Sequence, residues 1–463
     1  MRPINTIARD RLTAELRRQP PHAAAALAVR LGVSQPTLLR MLRERAGEVL
    51  RLGTTKNARY ALRRGLRGNI APIPVFRIDA AGRGDEVGAL DLIAPAGALL
   101  DLAAWGWPVP GEGAPGWWDG LPYPLYDMQP QGFLGRNFAR LRHQQLGVAA
   151  DPRAWSDDDI VWVLSQCGSD VAGDLIVGEA AYQGWQQTRL HAEAPVSESR
   201  LPQHYAELAE QATRQGIAGS SVAGEFPKFA ARRLLAGAGT PHVLVKFSGA
   251  DASPAVQRWS DLLVCEHLAL QVLAEQTGVA VAQSRILQSG GRCFLEVERF
   301  DRVGEAGRSP LVSLASLHAA LLATATSRWP EIAAHLQRLG WLVAEDGERI
   351  ALLWWFGQLI ANSDMHLGNL SLRPHAGTAP RLALAPAYDM LPMHYAPLAG
   401  GEVAEREFSP ALPLPRERAV WQKACRAALV FWQMASGDTR VSPVFRQVCV
   451  ANAECLEGLA ARV

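Results

Sequence analysis

The sequence predicts an α+β protein of several domains, a winged helix-turn-helix followed by a larger body of mixed strands and helices. Three observations carry this. The chain has 463 residues, 48% of them hydrophobic and 20% charged, enough for two to four cores and far too apolar for a disordered chain. Residues 1–68 hold 15 Arg plus Lys against 4 Asp plus Glu, a net +11, while the remainder balances to −9. Only four of the 47 basic residues are lysines: Lys56, Lys228, Lys246 and Lys423. A lysine embedded in an apolar strand therefore asks for a chemical reason, because an ammonium is a compact point charge and a guanidinium a wide planar fork.

No apolar run reaches the ~18 residues of a membrane span. The richest, IALLWWFGQLIA at 350–361, reads as a buried helix. The N-terminal MRPINTIARDRL has no apolar h-region, so neither a secretory signal nor a membrane partner is expected. A cytoplasmic chain follows, nucleoid-associated if its head holds DNA. The six cysteines form no C-x-x-C, and Cys449 and Cys455 stand apart with no histidine between them. Reduced thiols fit better than disulfides or a zinc site.

The elements of the head follow in order. HAAAALAVRLG (22–32) reads as a short helix ended by glycine. Ser34 offers an N-cap, Pro36 lies in the first turn, and a helix over about 35–46 puts Leu38, Met41 and Leu42 on one face. Two strand-like runs, EVLRL (48–52) and ARYAL (58–62), flank GTTKN and read as a hairpin wing. Residues 1–65 thus predict a winged helix-turn-helix that binds DNA. Gln35 and Thr37 lie in the first turn of the second helix, Arg40 and Arg43 reach the major groove, and Lys56 and Arg59 meet phosphates. A basic helical interaction domain is the plainer reading.

Residues 66–200 carry no assignable chemistry. IPVFRIDA (73–80) suggests a small sheet; Trp105, Trp107, Trp117 and Trp118 read as packing anchors; DDDI (157–160) reads as a solvated acidic turn.

Four later segments belong together. IAGSSVAGEFPKFA (217–230) has flexible glycines that let backbone N–H groups approach phosphates, though it is neither a Walker A nor a kinase G-x-G-x-x-G motif. HVLVKFS (242–248) is a strand around Lys246, whose ammonium needs a partner; the helix over about 259–277 offers Glu266, with Asp261 and Glu275 equally charged. EVERFDR (296–302) begins as a strand and ends in charge. ANSDMHLGNLSL (361–372) places Asp364 and Asn369 in D-x-x-x-x-N spacing, and Asp389 follows in LAPAYDML (384–391). Phosphoryl transfer needs a carboxylate to orient and deprotonate a hydroxyl and oxygen ligands to hold Mg²⁺, and these three residues supply that set.

These residues resemble the HipA family of toxin serine/threonine kinases over 168–391, most sharply in SSVAGEFPKF, VLVKF, VERFDR, NSDMHLGNLSL and LAPAYDML. The whole layout is most similar to the YjjJ branch. The resemblance implies a two-lobed, kinase-like fold using ATP and Mg²⁺, its N-lobe at 201–303 and its helical C-lobe at 304–463, after an N-terminal subdomain at 66–200. It implies Asp364 as catalytic base, Asn369 and Asp389 on the metal, and Lys246 on ATP phosphates. Glu298, Arg299 and Phe300 would form the adenine hinge; Ala223, Gly224 and Lys228 the phosphate loop; His366 and Tyr388 would join the ATP site. Ser221 matches an inhibitory autophosphorylation site, with Ser220 beside it. Two departures stand out. Glu225, Phe226 and Pro227 replace smaller or polar residues, and the chain carries its own DNA-binding head where family toxins borrow one from an antitoxin. The implied partners are DNA, a protein substrate and an antitoxin protein. Two other functions stay open: a DNA-binding regulator with a nucleotide-sensing, non-catalytic body, and a metal-dependent nuclease using Asp364, His366, Asp389 and His394.

Overall fold

The computed structural model describes residues 6–18, 22–53, 58–109, 116–215, 226–322, 325–375 and 381–463. The head runs helix Thr6–Leu16, strand His22–Ala23, helices Ala24–Leu31 and Gln35–Glu44, then strands Val49–Leu52 and Arg59–Leu62. Gly32 closes the first of the paired helices at φ 64°, a left-handed position that suits a residue without Cβ. The Ser34 side chain then accepts from Thr37 N and starts the next helix. Leu12, Leu16, Leu27, Leu38, Leu42 and Leu62 form a core of the head's own.

Two features differ from the expectation. His22 and Ala23 are not helical; they pair with Tyr60 and Arg59 as the third strand of the wing sheet. A long-range ladder has overridden the local helix preference of an alanine run. The helix Thr6–Leu16 escaped the pattern because, among its described side chains, the buried anchors are the i, i+4 pair Leu12 and Leu16.

The head is joined to the next domain by backbone and charge. Ala94 N donates to Leu62 O at 2.9 Å and Arg64 N to Leu92 O at 2.7 Å. Arg63 pairs with Asp91 at 2.8 Å, Arg67 with Asp159 at 2.8 Å, and Arg64 with Asp158. The acidic run at 157–159 is thus no solvated turn. It opens the helix Asp157–Cys167, where Ser156 and Asp159 form a capping box and the negative charges sit at the positive helix end.

The middle region is a five-stranded antiparallel sheet, ordered Trp117–Trp118, Ala98–Leu99, Gly84–Leu92, Ile73–Ile78, Leu175–Val177. Trp107 and Trp118 are buried in its core. A second five-stranded sheet follows, ordered Ser284–Ser289, Arg292–Glu298, His242–Phe247, Lys228–Leu234, Val196–Ser197. Side chains alternate across it. Val243, Val245 and Phe247 pack with Tyr205 of the helix Leu201–Gln215. The opposite parity, Leu244 and Lys246, faces the other way, toward the helix Pro254–Thr277. The last part holds the helices Leu314–Leu321, Trp329–Arg338, Ala344–Leu359, Arg418–Gly437 and Pro443–Ala460, with a small sheet of Val312–Ser313, Ser371–His375 and Arg381–Leu384. Trp329, Phe356, Trp421 and Trp432 are fully buried there. Among the described residues no helix is long and apolar enough to cross a membrane.

Candidate active site

The site lies where the lysine strand His242–Phe247 meets the helix Pro254–Thr277 and two loops of the helical lobe. Lys246 is 8% exposed, so its ammonium must be satisfied from within. Its Nζ donates to both carboxylate oxygens of Glu266 at 2.7 Å and also to Asp389 Oδ1. Of the three carboxylates open to sequence reasoning, Glu266 is the partner. Asp261 instead accepts from Ser442 N and Oγ, and Glu275 is exposed. Burial alone would depress the Lys246 pKa; Asp389 and Glu266 outweigh it and hold the ammonium above the ordinary lysine range. The Phe226 ring lies 5.8 Å from the same nitrogen and packs edge-on to Trp259 at 4.7 Å, which gives the departure at 226 a packing role. Lys228 sits directly opposite Lys246 in the strand register.

The loop after the buried helix Ala344–Leu359 carries the second group. Asp364 projects a half-exposed carboxylate, with His366 Nε2 3.8 Å from its Oδ1. His366 Nδ1 accepts from Gly368 N at 3.0 Å, so the neutral ring carries its proton on Nε2, facing Asp364. Asn369 Nδ2 donates to Asp364 O at 2.9 Å, and Asn369 Oδ1 accepts no hydrogen bond among the described residues. Asp389 adopts φ 54°, a strained left-handed conformation for a residue with a Cβ. Burial opposes its ionisation, but Lys246 and Lys228 outweigh it and hold the carboxyl below its ordinary value. Tyr388 OH donates to Gly368 O at 2.8 Å, and its ring lies 5.5 Å from that of Phe300.

Several expected positions fall otherwise. Phe300 reaches the site, but the Glu298 and Arg299 side chains turn away from it. Glu298 accepts from Arg233 Nη2 at 2.9 Å and from Gly239 N at 3.1 Å, while Arg299 binds Asp170 and Asp301. Their amides are also taken, Glu298 N by Gln283 O and Arg299 N by His242 O. His394, a ligand in the nuclease reading, directs Nε2 to Glu407 O at 3.0 Å. Among the described residues no three His, Cys, Asp or Glu side chains gather as a metal-binding group. Gln35, Arg40, Arg43 and Arg59 are exposed on the head, and Thr37 is half-buried against Ser34. Lys56, Ser220, Ser221, Ala223 and Gly224 lie outside the described residues.

Residues 69–186 match the middle domain of YjjJ-like toxins, and residues 220–453 match the HipA-like C-terminal domain. The chain is 37% identical over 430 residues to Toxin YjjJ of Escherichia coli (strain K12), across 93% of this chain and 94% of that protein. The chain belongs to the YjjJ branch of the HipA toxin family. Among solved structures, a chain of the Shewanella oneidensis MR-1 toxin–antitoxin complex of HipA, HipB and operator DNA aligns at 15% identity and a TM-score of 0.43, over 84% of this chain and 95% of that one. The Helicobacter pylori proinflammatory kinase CtkA aligns at 10% identity and 0.34, over 50% and 92%.

Within this HipA-family chain one residue had no role in the sequence reading. Asn362 is 3% exposed; its Oδ1 accepts from Asp364 N at 3.0 Å and its Nδ2 donates to Asp389 O at 3.2 Å. A single side chain thus ties the two carboxylate-bearing loops together. The signal was in the motif, as the first asparagine of N-x-D-x-H-x-x-N, but its span of 27 residues to Asp389 is invisible without the fold.

Proposed function

We propose that this HipA-family chain is an ATP- and Mg²⁺-dependent serine/threonine protein kinase of the toxin type that also binds DNA through its head. The observation that carries the reading is the Lys246 ammonium shared between Glu266 and Asp389. Phosphoryl transfer of the kinase kind uses a strand lysine paired to a helix glutamate, beside a metal-holding aspartate. The donors fit the metal. Asp389 offers a carboxylate and Asn369 an amide oxygen, both hard ligands, and Mg²⁺ takes few protein ligands because it keeps waters and substrate phosphates. When bound, the ion would neutralise charge on the transferred phosphate.

The chain's own residues do the rest. Glu266 fixes the ammonium in place through two hydrogen bonds, and the N–H now spent on Asp389 is the one a phosphate oxygen would take. Asp364, the most open carboxylate of the group, would orient a substrate hydroxyl and accept its proton. Asn362 keeps Asp364 and Asp389 in fixed relation, and Phe300, whose ring lies beside that of Tyr388, would border the base.

The head would take duplex DNA through the exposed face of Gln35–Glu44, with Arg40 and Arg43 toward base edges and Arg59 on phosphate. With a DNA-binding unit of its own, the chain needs no antitoxin to reach DNA. An antitoxin and a protein substrate belong to the reading as partners. The test is incubation of the full chain with labelled ATP and Mg²⁺. Label transferred to the chain or to an acceptor protein, and lost in Asp364→Ala, is expected. An intact protein that neither binds ATP nor transfers phosphate would overturn the reading.

A further inference from the structure

One carboxylate of the middle domain reaches across to the helical lobe. Asp127 lies on the short helix Tyr123–Met128, and donors from two serines beyond its own domain converge on it. Ser313 N donates to Oδ2 at 2.6 Å, Ser313 Oγ to Oδ1 at 2.6 Å, and Ser316 Oγ to Oδ1 at 2.7 Å. The helix that carries Asp127 is itself held in place. Tyr123, Leu125 and Met128 are buried in the core. Tyr123 Oη donates to Pro108 O at 3.0 Å, and Tyr126 Oη to Asp157 Oδ1 at 3.1 Å.

Ser313 joins this carboxylate to the candidate active site. It ends the strand Val312–Ser313 and caps the helix Leu314–Leu321, where its Oγ accepts from Ser316 N at 3.1 Å. In the ladder Ser313 stands opposite Ser371, and Leu314 N donates to Leu370 O at 2.8 Å. Leu370 directly follows Asn369 in the chain. Ser371 is buried, with its Oγ 2.7 Å from Tyr388 Oη. Tyr388 spends its one proton on Gly368 O, so Ser371 is the donor of that pair. The segment Gly368–Ser371 is therefore held twice, along the backbone by Ser313 and Leu314 and from the side by Tyr388. Asn369 in turn donates to Asp364 O. None of these bonds involves Lys246 or Glu266, which pair with each other on the other side of the site.

We propose that Asp127 is a positioning residue: it fixes Ser313 and, through Ser313, the loop that presents Asp364 and Asn369. Two hydroxyls and an amide aimed at one half-buried carboxylate are costly to strand, so the contact holds its partners firmly. The middle domain is then part of the active machinery and not a spacer between head and body. The proposal rests on the kinase reading for its effect on rate, and on the hydrogen bonds alone for its effect on the loop.

The test uses the full chain and reads both steady-state phosphorylation at varied ATP and hydrogen–deuterium exchange. Asp127→Ala leaves the serine donors without their acceptor. It is expected to lower kcat about tenfold or more and to change KM for ATP by less than about threefold, since misplacement by about 1 Å costs up to roughly 10²-fold in rate. Exchange at 366–372 should rise about tenfold, with His242–Phe247 and Pro254–Thr277 at the parent's level. Asp127→Asn is the rescue. Its amide oxygen can accept from Ser313 N while its NH₂ donates to Ser316 Oγ, so both readouts should return to within about threefold of the parent. Ser316→Ala removes one hydroxyl from the opposite side and keeps the test open if Asp127→Ala does not fold; exchange at 366–372 should rise about threefold in it, and no rise overturns the proposal. A folded Asp127→Ala chain with parental kcat and parental loop exchange also overturns it. So does faster exchange spread evenly over the chain, which marks a residue that serves only the fold. A parent that transfers no phosphate overturns the kinase reading and not the contact, which the loop exchange still upholds or refutes.

Discussion

Replacing Asn362 by alanine removes two hydrogen bonds at once, from Asp364 N and to Asp389 O. Each buried bond of this kind contributes about 1 kcal/mol net, so a loss of about 1–3 kcal/mol of stability is expected. The chain survives that, because the large cores around Trp329 and Trp421 do not touch this loop's hydrogen bonds. The effect on rate is larger. Asp389 is held at φ 54° partly through its carbonyl, and a residue with a Cβ leaves that region when released. A displacement of about 1 Å between the two carboxylates costs roughly 10²-fold in rate. The assay is steady-state phosphorylation at varied ATP, alongside urea denaturation. Asn362→Ala is expected to lower kcat about 100-fold with a smaller change in KM, because Lys246 and Glu266 are untouched. Asn362→Asp keeps the acceptor for Asp364 N and loses the donor to Asp389 O, so it should fall between parent and alanine. A folded Asn362→Ala protein with kcat within about threefold of the parent would refute the idea that Asn362 positions the site.

Three further outcomes are expected. Lys246→Met should abolish labelling and destabilise the fold by about 3–5 kcal/mol, because Glu266 is left buried without its cation; adding Glu266→Gln should restore stability and not activity, as melting and labelling of the double variant will report. Asp174 is buried, and burial raises its pKa from 3.8 to about 6, so the folded state favours its protonated form. Its ionisation therefore costs stability as pH rises from about 4 through 6, by up to about 3 kcal/mol at pH 7. Asp174→Asn should be more stable than the parent in urea at pH 7.5 and indistinguishable from it below pH 4. In the head, Arg40→Ala with Arg43→Ala should weaken duplex DNA binding tenfold or more by fluorescence anisotropy, while Arg59→Ala should mainly lower the salt slope by about one.

What the sequence made legible is what depends on short spacing. The helix Gln35–Glu44 was visible because Ser34, Pro36 and the i, i+3, i+4 leucine and methionine positions lie within one segment. Lys246 was visible because a lysine rarely sits inside an apolar run, and Asp364, Asn369 and Asp389 because they stood beside such runs in kinase-like spacing. The choice of Glu266 over Asp261 was not legible. Both are buried on the same helix, and only the angular position relative to the lysine strand separates them. The Asp158 and Asp159 partners were hidden for the same reason, since Arg64 and Arg67 lie more than ninety residues away in the chain. Glu298 and Arg299 were read as hinge residues from their place between the lobes. The Glu298 side chain instead pairs with Arg233 inside the second sheet, and that of Arg299 serves the ion network that holds the lobe to the middle domain, because burial makes unpaired charge too costly there.

That network also explains why this chain uses arginine almost everywhere and lysine at the centre of the site. Where two carboxylates lie in line with a planar fork, as Asp170 and Asp301 do for Arg302, a guanidinium donates along its edges and is locked by them. A locked cation stabilises a fold but cannot change partners. At position 246 the same charge meets Glu266 and Asp389 through one tetrahedral nitrogen, so one hydrogen bond can be given up while the other two hold. On the proposed kinase reading, a phosphate oxygen would take the place of Asp389 at that nitrogen. An arginine there would present its donors on two separate nitrogens beyond a longer reach, past the contacts that Glu266 makes. The rarity of lysine in this sequence is therefore informative at this position, because exchange of one acceptor for another is the property that phosphoryl transfer asks of its cation.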